Sequence, residues 1–206
     1  MARDDSRWKD CCITILFLVL NVGAYLLYTA AGEIVYNTGN LNAAAVLEDG
    51  EYYRLVSCVF LHGSIDHIIG NMIFLAALGK MLESRIGHVR FFLLYLFSGV
   101  GGSIFSLVYM TVSMAPYRSV GASGAISGLI GALLLLVVVN SGRYEGISLP
   151  RILLAIFYMV YTGLRSETTD NAAHIGGLVC GFVIMLVIEI HRLGARALGN
   201  GGKGED

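Results

Sequence analysis

Six apolar runs set the pattern of the chain, near residues 11–31, 66–82, 91–112, 122–139, 149–163 and 173–190. A membrane-crossing helix needs roughly 17–25 consecutive apolar residues, and each run therefore predicts a spanning helix. The second and fifth are short and interrupted by polar residues. The first run is longer than the apolar core of a cleaved signal peptide, and further runs follow it, so it reads as a permanent span. Between the first two runs lies a long mixed segment, Gly32 to Ile65. Its Tyr36, Tyr52, Tyr53 and Phe60 suit a membrane interface, where aromatic rings are favoured. The predicted fold class is an all-α membrane protein of six transmembrane helices, with a long structured outer loop between helices 1 and 2. Residues 1–10 form an N-terminal segment, 11–190 the membrane domain, and 191–206 a flexible tail.

Composition agrees. The chain has 206 residues, is 56% hydrophobic and 14% charged, and has a mean hydropathy of +0.70. Soluble domains are about 45–50% apolar and about 25% charged; a soluble fold this apolar would have too little polar surface, so the membrane class comes first. The net charge of −1 argues neither for nor against an acidic partner, and no nucleic-acid partner is expected. Cys11, Cys12, Cys58 and Cys180 have no CxxC or metal-ligand spacing and read as small buried hydrophobes. No metal and no organic cofactor is expected, because no cluster of His, Cys and Asp stands out.

Charge sets the orientation. Six spans place both termini on one side, with segments 1–10, 80–90, 140–151 and 191–206. Those segments hold eleven basic residues: Arg3, Arg7, Lys9, Lys80, Arg85, Arg90, Arg143, Arg151, Arg192, Arg196 and Lys203. The opposite loops hold three, Arg54, Arg118 and Arg165. Positive charge stays in the cytoplasm, so both termini are expected there. The lack of a transit peptide or extra domain points to a bacterial plasma membrane.

That orientation brings chemistry to one depth. Ser123 opens the fourth span, His174 the sixth, and His67 and Asn71 the second, all at outer ends. His67 and Asn71 are spaced i, i+4 and share a helix face. The fourth span is about 27 Å long at 1.5 Å per residue, against a hydrocarbon core of about 30 Å. Ser123 is then recessed below the outer surface. Gly124 and Gly128 form a GxxxG on the fourth span, and Gly177 and Gly181 another on the sixth. Such small residues let helix backbones approach closely, as a serine and a histidine on separate helices require. His62 is expected to hold a structural hydrogen bond. His88 and His191 read as interfacial residues on the cytoplasmic side.

In this order the motifs resemble the rhomboid family of intramembrane serine proteases. They are HGSIDHIIGN at 62–71, ESRIG at 83–87, GASG at 121–124 and AHIGGLVCG at 173–181. The GASG stretch is not the GxSxG elbow of α/β-hydrolases, because Ala125 stands at its last position. The resemblance implies a dyad of Ser123 as nucleophile and His174 as general base. It implies an oxyanion hole from His67, Asn71 and backbone N–H near Ser123. Gly121, Gly124, Gly177, Gly181, His62 and Arg54 would be structural. Arg54 in YYRLVS corresponds to the family's Trp-Arg motif, with Tyr53 in place of Trp. Substrates would be single-span membrane proteins, unwound near the outer surface, in contact with membrane lipid. The oligomeric state is not specified.

One departure stands out. The family often has an aromatic ring four residues after the nucleophile, against the catalytic histidine, and this chain has Ser127. Tyr117 or Tyr161 could substitute. Asp170, four residues before His174, is expected to face the outer loop rather than complete a triad. Two other classes compete. A client-binding pseudoprotease of the same fold would lack the Ser or the His, and both are present. A transporter would show repeats and polar residues through the midplane, whereas the inner halves of the fourth and sixth spans are nearly all apolar.

Overall fold

The computed structural model describes residues 11–114, 117–166 and 169–201, the last seven of these by backbone alone. The predicted first span is α1 (Cys12–Ala31). The segment after it folds into short helices α2 (Glu33–Gly39), α3 (Ala43–Leu47) and α4 (Arg54–Ser57), then a single 3-10 turn, Cys58–Phe60. The remaining apolar runs become α5 (Ile65–Ile86), α6 (His88–Ser113), α7 (Ser123–Val139), α8 (Leu149–Arg165) and α9 (Asn171–Gly201). Helices α1, α5 and α6 are long and apolar enough to cross a membrane, as is Asn171–Gly194 of α9. Helix α7 is a shorter apolar helix of 17 residues. The fold is that of an all-α membrane protein.

Two connections differ from the sequence reading. The charged segment 80–90 is not a loop: α5 and α6 are separated by Gly87 alone. Gly87 has φ 82°, and its N–H bonds the Glu83 carbonyl, so the chain reverses at once. The segment 140–151 carries a small hairpin, β1 (Arg143–Tyr144) against β2 (Ile147–Ser148). Beyond the sixth run, helix α9 continues to Gly201 through Arg, Leu and Ala residues that favour helix. Residues 202–206 lie outside the described residues, as do residues 1–10 with Arg3, Arg7 and Lys9.

Burial explains which helix is central. Helix α7 is apolar all round and buried along most of its length, including Leu129, Ala132, Leu136 and Val137. A helix without a polar face belongs inside. The helices around it turn large apolar side chains outward, such as Val19, Leu26, Ile73 and Phe157. Exposed greasy surface on that scale suits lipid rather than water.

Glycine decides how closely α7 and α9 pack. A Cβ placed at Gly177 would meet the Gly124 carbonyl, one at Gly181 the Gly128 carbonyl, and one at Gly131 the Leu178 carbonyl. On the other flank, Gly102 of α6 lies against the Ala173 carbonyl and Gly124 Cα. The backbones of α6, α7 and α9 are therefore in direct contact along one seam.

A second layer joins α1, α5 and α6. Phe17 stacks on Tyr95 with ring centroids 4.0 Å apart, and Asn21 donates to the Tyr95 hydroxyl at 3.3 Å. Buried Glu83, from the ESRIG stretch, caps the start of α1. Its carboxylate accepts from Ile13 N–H at 2.9 Å, Thr14 N–H at 2.8 Å and Thr14 Oγ1 at 2.6 Å. Those amides are orphan donors of the first helical turn.

Arg54 organises the segment before α5. It is buried, and its Nη1 donates to the Asn37 and Asn40 carbonyls at 2.9 and 2.8 Å. Its Nε pairs with Glu51 at 2.5 Å. The two carbonyls end α2, which a cation stabilises. Arg54→Lys is expected to cost about 1–3 kcal/mol, because an ammonium cannot fill three directions set by a planar fork. Thermal unfolding of the purified variant in detergent checks this.

Candidate active site

Ser123 is the first residue of α7, half-buried, at a helix start with no side-chain cap. The N–H groups of Ser123 and Gly124 are thus orphan donors. The chain leading to them is pinned from three directions by the segment between α1 and α5. Leu41 and Ser119 exchange backbone hydrogen bonds at 2.9 and 3.1 Å. Gly121 N–H donates to the Cys58 carbonyl at 2.9 Å. Ala122 N–H donates to His62 Nε2 at 3.5 Å. The long segment is therefore the frame that holds the start of α7 in place.

His174 lies in the first turn of α9 and is 8% exposed. Its neighbour Ala173 touches Gly124, the neighbour of Ser123: a Cβ at Gly124 would be 3.4 Å from the Ala173 carbonyl. Ser123 and His174 therefore each adjoin a residue of the contact between Gly124 and Ala173, at the outer end of the seam between their two helices. No hydrogen bond joins their side chains among the described residues. Such bonds are often long in unliganded enzymes and tighten when substrate binds. His174 Nδ1 is buried and has no partner among the described residues.

Asp170 has a different task from a triad aspartate. Its Oδ1 accepts from Ala173 N–H at 2.9 Å, and its carbonyl accepts from His174 N–H at 3.2 Å. It is the N-cap of α9. Ser106 of α6 donates to Oδ2, and the Tyr117 hydroxyl donates to Oδ1 at 3.4 Å. The carboxylate thus holds the helix that carries His174 rather than the imidazole itself.

His67, Asn71 and His62 complete the cluster. The built Cβ of Gly121 would lie 2.8 Å from His67 Nε2 and 3.7 Å from Ser123 Oγ. The His67 ring and the Ser123 hydroxyl therefore share the space over Gly121. That space exists because residue 121 has no side chain, and its φ of 132° suits only glycine. Asn71 is buried and donates one amide N–H to the His67 carbonyl at 3.0 Å. An amide carries two such donors, so one remains for the site. His62 packs edge-on against His67, with centroids 5.0 Å apart.

His62 is fully buried, and burial, with His67 beside it, lowers its pKa from 6.5 to about 4. It stays neutral and keeps accepting from Ala122 at mild acidity. Unfolding releases it to an ordinary value, so between pH 6.5 and 4 the unfolded chain binds a proton that the folded chain does not. Stability therefore falls as pH drops through that window, by an amount on the order of 3 kcal/mol in total. His62→Gln should flatten this part of the curve, read as the difference in melting temperature between pH 7.5 and 4.5.

One expectation needs correction, and one alternative left open by the sequence can be followed. Neither Tyr117 nor Tyr161 stacks on His174 among the described residues. Tyr117 turns its hydroxyl to Asp170, and Tyr161 stacks on Phe157 with centroids 6.0 Å apart. Met159 of α8 meets Ser127, its sulfur 3.2 Å from Ser127 Oγ. The cysteines also differ: Cys11 and Cys58 are buried, whereas Cys12 is exposed and Cys180 intermediate. Cys12 is exposed because it opens α1 at the edge of the bundle. Sequence spacing missed the backbone clamp on Gly121 and the bonds from Ser106 and Tyr117 to Asp170, since both are made by segments far apart in the chain; the cap on Ala173 is local, and an Asp just before an apolar run is its signal.

Comparison with known proteins identifies the family. The family model described as the rhomboid domain matches residues 49–190. RHOMBOID-like protein 5 of Arabidopsis thaliana is 40% identical over 145 residues, covering 69% of this chain and 46% of that protein. Rhomboid protease GluP of Bacillus subtilis (strain 168) is 34% identical over 187 residues, covering 88% of this chain and 36% of that protein. RHOMBOID-like protein 2 of Arabidopsis thaliana is 36% identical over 165 residues, covering 80% and 51%. The chain thus spans about half or less of the length of these relatives. The matched region contains every residue of the Ser123, His174, His67 and Asn71 cluster, and the chain belongs to the rhomboid family.

Proposed function

We propose that this chain is an intramembrane serine endopeptidase that cleaves single-span membrane proteins near the outer face of the membrane. The observation that carries the reading is the glycine seam between α7 and α9, which sets Ser123 and His174 on either side of one backbone contact. In the proposed step, Ser123 Oγ attacks the scissile carbonyl and His174 takes the hydroxyl proton. His174 then gives that proton to the leaving amine, and water hydrolyses the acyl-enzyme. The carbonyl oxygen becomes an oxyanion at the positive end of α7, facing Ser123 N–H, His67 and the free amide N–H of Asn71. Asp170 serves as the cap that orients α9, which supports a dyad rather than a triad.

All six apolar helices are proposed to cross or enter the membrane, with both termini cytoplasmic and the segment between α1 and α5 at the outer interface. The plasma membrane of a bacterium is the proposed location. A peptide bond in a helix is shielded by its neighbours, so the substrate segment must unwind at the site. Small or helix-breaking residues at the cut are therefore expected.

The test is cleavage of a single-span reporter by the purified chain in liposomes, with Ser123→Ala as its partner. Wild-type cleavage that the variant lacks supports the proposal. Cleavage that survives in Ser123→Ala removes Ser123 as nucleophile.

A further inference from the structure

Away from Ser123, the structure gathers three residues that no spacing in the sequence connects. Cys12 opens α1, Glu83 lies in the last turn of α5, and His88 opens α6 after the Gly87 turn. Their ligand atoms lie within 4.8 Å of one another. Cys12 Sγ is 3.5 Å from His88 Nδ1 and 3.9 Å from Glu83 Oε1, and His88 Nδ1 is 2.6 Å from Glu83 Oε1. Glu83 is sixteen residues beyond His67 on the same helix, about 24 Å along it at 1.5 Å per residue. The cluster therefore sits at the opposite end of α5 from the candidate active site.

We propose that Cys12, Glu83 and His88 form a three-ligand site for a divalent cation of the Zn(II) class. Thiolate, imidazole and carboxylate together are the donor set that such a borderline ion takes. Metal–ligand bonds of about 2.0–2.3 Å in a tetrahedron place donor atoms about 3.3–3.6 Å apart. The Cys12–His88 separation already meets this. The His88–Glu83 pair must open by roughly 0.7 Å to meet the same tetrahedral spacing. His88 can swing that far, since its side chain is 51% exposed. The carboxylate is held from behind by Ile13 and Thr14, which fixes its direction as an outer shell does at metal sites.

The charges balance. A thiolate and a carboxylate neutralise the dication, which suits a position at the end of membrane helices. Binding releases the Cys12 thiol proton to solvent. Neutral His88 keeps one ring proton, on Nε2, while Nδ1 takes the metal. The fourth position is left to water, because Cys12 and His88 are both exposed. The ion would tie the start of α1 to the α5–α6 turn. It takes no part in the proposed cleavage step.

Titration of the reduced, metal-stripped full chain in detergent with Co(II), then Zn(II), tests this. The expected result is one equivalent of Co(II) with a thiolate-to-metal charge-transfer band, displaced by Zn(II). Cys12→Ser should abolish the band and, like His88→Gln, weaken Zn(II) binding at least about tenfold. Cys180→Ala should bind as wild type does. Zn(II) should also raise the melting temperature of wild type and not of Cys12→Ser, which shows that the folded chain is the species that binds. Absence of the band in folded wild type, its persistence in Cys12→Ser, or unchanged Zn(II) affinity in His88→Gln would overturn the site.

Discussion

Ser123→Ala, His174→Ala and the double variant are expected to lose reporter cleavage to the same extent, at least about 10³-fold each. A nucleophile without its base and a base without its nucleophile are equally unable to open the carbonyl, so the losses do not add. Equal losses would tie the two residues to one step. Losses that multiply in the double variant would separate them and sink the dyad. Asn71→Ala should fall between, at about 10²–10³, as removal of one oxyanion donor does. The geometry favours this ordering. Ser123 adjoins Gly124, which touches Ala173 beside His174 where α7 and α9 meet, whereas Asn71 reaches the site from a third helix.

Gly181→Val is expected to destabilise the folded chain by about 3 kcal/mol or more, at the upper end of the usual cost of overpacking. An added Cβ there meets the carbonyl, the carbonyl carbon and the Cα of Gly128, all of them backbone. A flexible side chain could move aside, but a helix backbone cannot. The helices must separate, and Ser123 and His174 then separate with them. Gly23→Ala is the matched control, since a Cβ at Gly23 meets nothing within 4 Å. It should leave stability unchanged or slightly higher, because alanine favours a helix over glycine by about 0.8–1 kcal/mol. Thermal unfolding in detergent reads both. A Gly181→Val protein as stable as wild type would mean that the seam does not govern the packing.

The seam also shows how far local patterns reach. GxxxG spacing on the fourth and sixth runs was visible as two separate motifs. That Gly124 faces Gly177, and Gly128 faces Gly181, was not visible, since pairing depends on the crossing of two helices about fifty residues apart. Asp170 shows the converse. Its place before the sixth run suited a local cap on Ala173, yet its fastening to Ser106 and Tyr117 needed α6 and the chain after it packed alongside. The charged run 80–90 read as a loop because it is polar. It is helical on both sides of Gly87 because Glu83 is buried as a cap for α1 and one glycine suffices for the reversal.

By itself, the sequence determined the membrane class, the helical segments and the residue types that could carry acyl-transfer chemistry. Those follow from the length of apolar runs and from polar residues stationed at their ends, and both are local properties. Tertiary structure alone decided which backbones touch, what clamps Gly121 and Ala122, that Met159 meets Ser127, and that Cys12, Glu83 and His88 meet. Each of these is a contact between segments distant in the chain. Such contacts are set by how closely side chains, or their absence, let one helix approach another.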